Sequence, residues 1–503
     1  MDAFLQDLNN SIGLFRPEFA LTITLVAAIF VDVFCKKKPL MTGYVSLLGY
    51  AITFCLLVGG GISTTSMTFM GSLAVDPFSQ FFKILILLAS VIATVMTFNA
   101  KELTEGKNRI GEYYILLIGM TIGMFLLSSA SNLLMIYIAF EMMSISSYVL
   151  AGYTKEVRRA SEASLKYVIY GSLSSGVMIY GISILFGITG TFDLAAINTV
   201  LANSTSAIHL PLIVSGVLIF AGIAYKISAV PFHFWTPDVY EGSPVATTAL
   251  LSVASKAAGF AVLIRFLKAG FMDTVISTDE VWATVTNFDW SYLIAIVAVL
   301  TMTLGNLLAI WQNNIKRMLA YSSIAHAGYM LMGVMVMNTA GIEGVMFYFI
   351  TYLLMNFGAF YVVQLIANKT GSEDIQDYNG LAYKNPFIAV AMTVFMVSLT
   401  GMPPFAGFLA KLYLFTPVIE AGYVGIAVIG VLNSVVSVFY YMKVVRNMYL
   451  RGDETETVAS EKLSFGKGSM VFLYAMAIPV VFLLINFQPI LEWIKQSAVM
   501  IIR

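Results

Sequence analysis

Residues 215–242 read SGVLIFAGIAYKISAVPFHFWTPDVYEG. The first half is apolar enough for a membrane, Lys226 stands in its middle, and Pro231 follows five residues later. Proline removes an amide donor and clashes with the preceding turn. Carbonyls are thereby freed at a depth where only protein or cavity water can satisfy them. The segment reads as a membrane helix broken at its centre. A second stretch, 385–415, has the same character: NPFIAVAMTVFMVSLTGMPPFAGFLAKLYLF, with Gly401, Pro403 and Pro404 near its middle and Lys411 beyond them. A single proline could mean a simple kink; two such segments at related positions point to more.

Working outward, apolar runs of the roughly 20 residues needed to cross a 30 Å hydrocarbon core recur along the whole chain. They lie near 17–35, 43–60, 77–98, 112–130, 132–152, 163–187, 212–240, 244–268, 290–312, 318–337, 341–367, 386–417, 424–449 and 470–491. The fold class expected is an all-α polytopic membrane protein of about 14 transmembrane helices in one membrane domain (1–503). The broken crossings are the seventh and the twelfth. Two five-helix units, 112–268 and 290–449, then have opposite topology because five is odd. That is an inverted repeat, whose discontinuous helices mark a transport site.

Loop charge sets the orientation, since basic residues collect on the cytoplasmic side. Loops after odd-numbered crossings hold Lys36, Lys37, Lys38, Lys101, Lys107, Arg109, Lys155, Arg158, Arg159, Lys316, Arg317, Lys369, Lys384, Lys443, Arg446, Arg451, Lys462 and Lys467; the longer loops after even-numbered crossings hold none. Both termini are therefore expected outside. The polar start, MDAFLQDLNNSIGLF, has neither the basic region nor the small-residue cleavage site of a signal peptide, so the first apolar run reads as a retained helix.

Composition excludes several functions. Of 503 residues 59% are hydrophobic and 11% charged, against about 25% charged in soluble domains. With 28 basic and 28 acidic residues there is no basic field for nucleic acid. Cys35 and Cys55 are too few for a disulfide framework, a zinc site or an iron–sulfur cluster. No Gly-rich dinucleotide loop follows a strand, and no spacing demands a haem. Metal and cofactor sites are not expected within this chain.

The few charges inside the apolar runs carry the functional content. An ionisable group at mid-membrane costs about 2.5 to 3.5 kcal/mol on insertion scales and marks a functional site by default. Glu141, Lys226 and Lys256 stand near the centres of their runs and Lys411 in the second, outward half of its run, whereas Lys83 and Lys166 lie within about two turns of helix ends, where a long side chain reaches the interface. Lysine suits proton transfer because, unlike arginine, it can release its proton inside a protein. His233 follows the first break, seven residues from Lys226, and His326 lies in YSSIAHAGY; each is open to a packing role or a proton-relay role.

Four stretches, IYIAFEMMSISSYVLAGY (136–153), YKISAVPFHFWTPDVYEGSPVATTALLSVASKAAGFAVLIRF (225–266), NNIKRMLAYSSIAHAGYMLMG (313–333) and TGMPPFAGFLAKLYLF (400–415), resemble the antiporter-like membrane subunits of proton-pumping NADH-quinone oxidoreductase, respiratory complex I, and their Mrp antiporter relatives. Lys256 in its Ser-Lys-Ala-Ala setting and lysine rather than glutamate at 411 are most similar to subunit N. The family often has two prolines after the glycine of the YEG motif, where this chain has Ser243 and Pro244. The resemblance implies that Glu141 pairs with Lys226, that Lys256 is the central proton carrier, that Lys411 hands protons outward, and that Lys166 and His233 support the path. It further implies partner membrane and peripheral subunits that hold NADH, FMN, iron–sulfur clusters and quinone, and a location in the bacterial inner membrane. A cation/proton antiporter, or a hydrogenase- or ferredoxin-linked pump, remains the alternative.

Overall fold

In hydrocarbon every backbone N–H and C=O must find its partner within the segment, so the apolar runs become helices. The computed structural model describes residues 2–36, 38, 40–60, 65–105, 110–203, 209–272, 282–285, 288–450 and 463–500. Lys37, Lys107, Arg109, Arg451 and Lys462, read above for orientation, lie outside them. In chain order the elements are α1 (Asp2–Leu14), α2 (Arg16–Phe34), α3 (Met41–Gly59), the hairpin β1 (Ser66–Thr68) and β2 (Leu73–Val75), α4 (Pro77–Thr97), α5 (Lys101–Thr104), α6 (Ile110–Ser129), α7 (Leu133–Ala151), α8 (Arg158–Thr189) and α9 (Leu194–Ala202). Then come α10 (His209–Ile227), α11 (Trp235–Gly242), α12 (Val245–Leu250), α13 (Lys256–Phe271), α14 (Trp290–Ile310), α15 (Ile315–Met335) and α16 (Thr339–Thr370). The chain closes with α17 (Leu381–Lys384), α18 (Pro386–Thr400), α19 (Ala406–Glu420), α20 (Val424–Leu450), α21 (Lys467–Phe482) and α22 (Gln488–Ser497).

Eleven helices among the described residues are long and apolar enough to cross a membrane. The other expected crossings fall on α15, on the half-helices α18 and α19, and on α21. One expectation needs correction. The run 470–491 is not one helix: α21 ends at Phe482 and α22 starts anew with Pro489 in its first turn, the position where proline's fixed φ and missing N–H suit a helix start. The polar start is also helical. Ser11 Oγ and Asp7 Oδ2 of α1 accept from the Phe69 and Met70 amides at the hairpin turn, at 2.8 and 3.3 Å.

Both broken helices stop in the same way. Ser228 (φ +62°) and Gly401 (φ +82°) adopt the left-handed conformation immediately after α10 and α18. Around them the amides of Ser228 and Ala229 bond back to the Tyr225 and Ala224 carbonyls, and those of Gly401 and Met402 to Ser398 and Val397. These are the paired bonds of a Schellman closure. A second correspondence links α8 and α16, both 32 residues long. Each ends in a left-handed glycine, Gly190 or Gly371, within TGTFD and TGSED. The Asp193 amide donates to Thr191 Oγ1 and that of Asp374 to Ser372 Oγ, both at 3.2 Å. The following backbone bridges to the start of α7 through Asn132 and to the start of α15 through Asn314.

The element running Val245–Phe271 lies at the centre, its membrane window wholly enclosed by protein, whereas α2 turns most of its surface outward. The central element is tied down by Arg265, whose guanidinium grips Asp76 with two bonds of 2.8 and 2.9 Å; both side chains are fully buried. Asp76 also caps α4 through the Ser79 amide. Removing one partner of a buried pair strands the other charge, at about 3 to 5 kcal/mol. Arg265→Met should therefore lower the thermal transition of the detergent-solubilised protein by that equivalent, and Asp76→Asn combined with Arg265→Met should recover most of the loss; an unchanged transition in the single variant would contradict the anchoring role.

Candidate functional site

The three mid-membrane lysines are all buried. None has a carboxylate within ion-pair distance among the described residues, and each is held by neutral oxygens. Lys226, in the last turn of α10, reaches Ser144 Oγ at 3.2 Å, Ser147 Oγ at 3.5 Å and Tyr167 OH at 3.3 Å, with its ammonium 5.4 Å from the Tyr167 ring centre. No contact ion pair between Lys226 and Glu141 is formed among the described residues. Three hydroxyls of α7 and α8 stand nearer, and they satisfy the ammonium's three donors.

Lys256 is placed by a backbone irregularity. Residues Leu251–Ser255 form a π-turn between α12 and α13, a feature often found at functional sites. Asn356 Nδ2 on α16 donates to Ser252 Oγ within this turn at 2.6 Å. The lysine that follows donates to the Ser323 carbonyl of α15 at 2.7 Å. One turn beyond Lys256, Gly259 lets α10 approach so closely that an added Cβ would lie 2.6 Å from Ile227 Cγ2 and 3.9 Å from Lys226 Cβ. Lys226 and Lys256 thus stand on two helices that touch at Gly259.

Lys411 sits at the break in the twelfth predicted crossing. Its ammonium donates to the Thr400 carbonyl at 2.7 Å and to Ser434 Oγ at 2.9 Å, and it lies 4.7 Å from the Tyr329 ring centre. Thr400 is the last residue of α18, so the cation meets an orphan carbonyl at the negative end of a helix dipole. Gly401 gives it room: a Cβ there would come within 2.5 Å of Lys411 Cδ.

Helix α15 joins these positions. Ser323, His326 and Tyr329 recur at three-residue spacing, placing them on neighbouring turns of one face over about 9 Å. Ser323 receives Lys256, Tyr329 lies under Lys411, and His326 stands between them. His326 Nδ1 is 2.6 Å from Tyr348 OH and its Nε2 is 3.1 Å from Tyr441 OH, which in turn bonds Ser322. Sequence reading left the role of His326 open and missed Ser323, Tyr329, Tyr348 and Tyr441; the three-residue spacing in YSSIAHAGY was the available signal.

The remaining expected residues lie off this line. Glu141 is half-buried, with an enclosed Oε1 that has no hydrogen-bond partner among the described residues. It shares a helix face with Leu134, Ile138, Ile145 and Val149, all exposed. Lys166 belongs to a partly exposed ion cluster at the end of α11, bonding Asp238 at 2.6 Å and Glu162 at 2.8 Å, while Arg317 joins Asp238 and Glu241. The structure therefore places Lys166 apart from the buried lysines. His233 is buried after the break, its Nδ1 without a partner among the described residues.

The family model described as NADH:quinone oxidoreductase/Mrp antiporter, TM, matches residues 130–437. The chain belongs to this family. It is 42% identical over 501 residues to the NADH-quinone oxidoreductase subunit N of Chlorobium chlorochromatii, covering 99% of this chain and 97% of the relative. It is 46% identical over 457 residues to subunit N 2 of Chloroherpeton thalassium, covering 89% and 88%. A chain of the solved respiratory complex I from Thermus thermophilus with bound aureothin superposes with a TM-score of 0.77 at 28% identity, covering 95% of this chain and 98% of that one. The match is to subunit N along nearly the whole length.

Within this family fold, the glycine at the second break makes a specific demand. Gly401→Ala should push Lys411 off the Thr400 carbonyl and reduce proton movement by the assembled complex. Gly371→Ala strains an equally left-handed residue (φ +71°) but meets nothing within 4 Å, so it should cost only about 1 to 2 kcal/mol of stability. Parallel measurement of proton uptake and thermal stability in inverted vesicles separates the two, and equal proton uptake in both variants would contradict the steric account.

Proposed function

We propose that this chain moves protons along Glu141, Lys226, Lys256 and Lys411, as the antiporter-like membrane subunit of an NADH-quinone oxidoreductase whose quinone chemistry occurs in partner subunits. The observation that carries this reading is the set of three buried lysines, each held only by hydroxyl and carbonyl oxygens, with Lys256 and Lys411 set along α15 on either side of His326. An ammonium held by neutral dipoles responds to any charge moved nearby, since Coulomb energies grow as the local dielectric falls. A fixed salt bridge would damp that response.

In this reading Glu141 is the input. It lies on an otherwise apolar outer face, and a neighbouring subunit seated there would encounter the carboxylate. A change of charge in that neighbour shifts the field at Lys226, and the response passes to Lys256, then through His326 and the tyrosines to Lys411, which faces the outer side. Two five-helix units, 112–268 and 290–449, related as an inverted repeat, account for the matching closures at Ser228 and Gly401 and the matching TGTFD and TGSED turns. Basic loops inside and both termini outside orient the path. NADH, FMN, iron–sulfur clusters and quinone belong to the partners, in a bacterial inner membrane like that of the relatives. His233, buried beside the first break, supports the path, and Lys166 acts at its inner rim.

Lys256→Ala should lower coupled proton translocation by the assembled complex on the order of tenfold or more, measured as proton uptake by inverted vesicles during NADH oxidation. Lys256→Arg should fail equally, because arginine keeps its proton. Unchanged uptake in either variant would overturn the assignment, and cation/proton exchange persisting without NADH and quinone would identify an antiporter instead.

A further inference from the structure

The lysine line needs a source of protons, and one part of the molecule has the matching chemistry without a role so far. A polar cavity of about 960 Å³ opens on the face that carries the basic loops, lined among others by Glu102, Glu241, Val245, Lys316, Gln364 and Glu373. At its edge Glu102, on α5, accepts a 2.8 Å hydrogen bond through Oε1 from the Val245 amide. Val245 is the first residue of α12, so the carboxylate sits at the head of the element that carries Lys256. Lys316 is held beside it by the Ser243 carbonyl at 2.8 Å and Glu373 at 2.7 Å.

Polar groups continue from this point inward. Lys256 lies eleven residues along the element, about 16 Å of helix rise. Between the two, Tyr113 OH and Thr247 Oγ1 are 2.9 Å apart, Thr248 Oγ1 donates to the Tyr240 carbonyl at 3.1 Å, and Ser252 Oγ accepts from Asn356. Around the same helix, Tyr240 OH, Ser255 Oγ, Ser323 Oγ, Tyr352 OH and Asn356 Oδ1 are buried without a hydrogen-bond partner among the described residues. Ser323 is the residue whose carbonyl holds Lys256. Buried polar atoms that protein leaves unpaired are those that ordered water satisfies, and a file of hydroxyls and such atoms can pass a proton.

Resting on the proton-pump reading above, we propose that Glu102 is the proton-loading residue on the basic-loop side, taking protons from the cavity and passing them along the Tyr113, Thr247 and Ser252 hydroxyls and the water between them to Lys256, with Asn356 orienting Ser252. The step is a transfer only: the carboxylate takes one proton from cavity water and gives it to the next oxygen inward, with no net bond made in the chain. Burial pushes the Glu102 carboxyl up from its ordinary value, against the opposing pull of Lys316 and of the Val245 N–H, so it takes a proton more readily than an exposed glutamate. Glu373 acts in the same direction as burial.

A helix cap and a proton carrier are separable here. Glu102→Gln keeps an oxygen for the Val245 amide but cannot carry a proton. In the assembled complex in inverted vesicles, it should lower NADH-driven proton uptake on the order of tenfold, and Glu102→Asp should retain most of it. Formate or azide, added as small diffusible acids, should restore uptake in Glu102→Ala, whose shortened side chain opens the site; a cap alone would show no such rescue. Wild-type uptake in Glu102→Gln, or absence of rescue in Glu102→Ala, overturns the proposal. Lys256→Ala is measured beside them: if it stops uptake while Glu102→Gln does not, only the entry site falls, and if it pumps normally, the pump reading falls with it.

Discussion

Polar atoms can occupy the middle of a bilayer only where protein surrounds them, and this molecule meets that condition by enclosing the membrane window of the Val245–Phe271 element. Everything with chemistry depends on that enclosure. Lys256 sits at one end of α13 and Arg265 further along it, while Lys226 packs against it at Gly259. The outer helices, such as α2 and α8, are shields whose outward residues match lipid. The central element is fixed at its far end by Asp76 and at its near end by Glu102 and Ser243, so the lysine between them is presented by a rod held at both ends.

The broken helices solve a second problem with the same means. A half-helix ending at mid-membrane leaves carbonyls unpaired, and both breaks recover part of that loss through a left-handed residue and its two back-bonds. What remains is used. At the second break the Thr400 carbonyl takes Lys411; at the first, the Tyr225 carbonyl, already bonded to the Ser228 amide, uses its second lone pair for the Trp235 indole N–H at 2.9 Å. One break thus presents a titratable group and the other an inert donor, although their backbones close alike.

Much of this was legible in the sequence, for physical reasons. Run length against hydrocarbon thickness located the helices, Pro231 and Gly401-Met402-Pro403-Pro404 located the breaks, and the sparseness of charge drew attention to Lys226, Lys256 and Lys411. Other features were hidden. The hydroxyls that hold Lys226 come from Ser144, Ser147 and Tyr167, and serine in a membrane helix is too common to announce a ligand. Residues 483–487, LLINF, are apolar, so the end of α21 had no composition signal, although Pro489 offered one for the start of α22. Glu102 stood in a loop scored for its basic neighbours, and only the fold shows that its carboxylate lies at the head of Val245–Phe271. The Glu141 position shows the reverse: the sequence placed it at mid-membrane, and the structure adds that it is half-buried on a helix face whose other members, Leu134, Ile138, Ile145 and Val149, are exposed.

The π-turn at Leu251–Ser255 has a consequence for how such a chain can change over time. It amounts to one surplus residue in an otherwise regular rod, and each residue of an α-helix turns the chain by about 100°. The turn absorbs that residue, so α12 before it and α13 after it each keep the facing their neighbours require, and Lys256 stays aimed at the Ser323 carbonyl of α15. The segment can therefore absorb a change of one residue in length at this turn while the lysine keeps its aim.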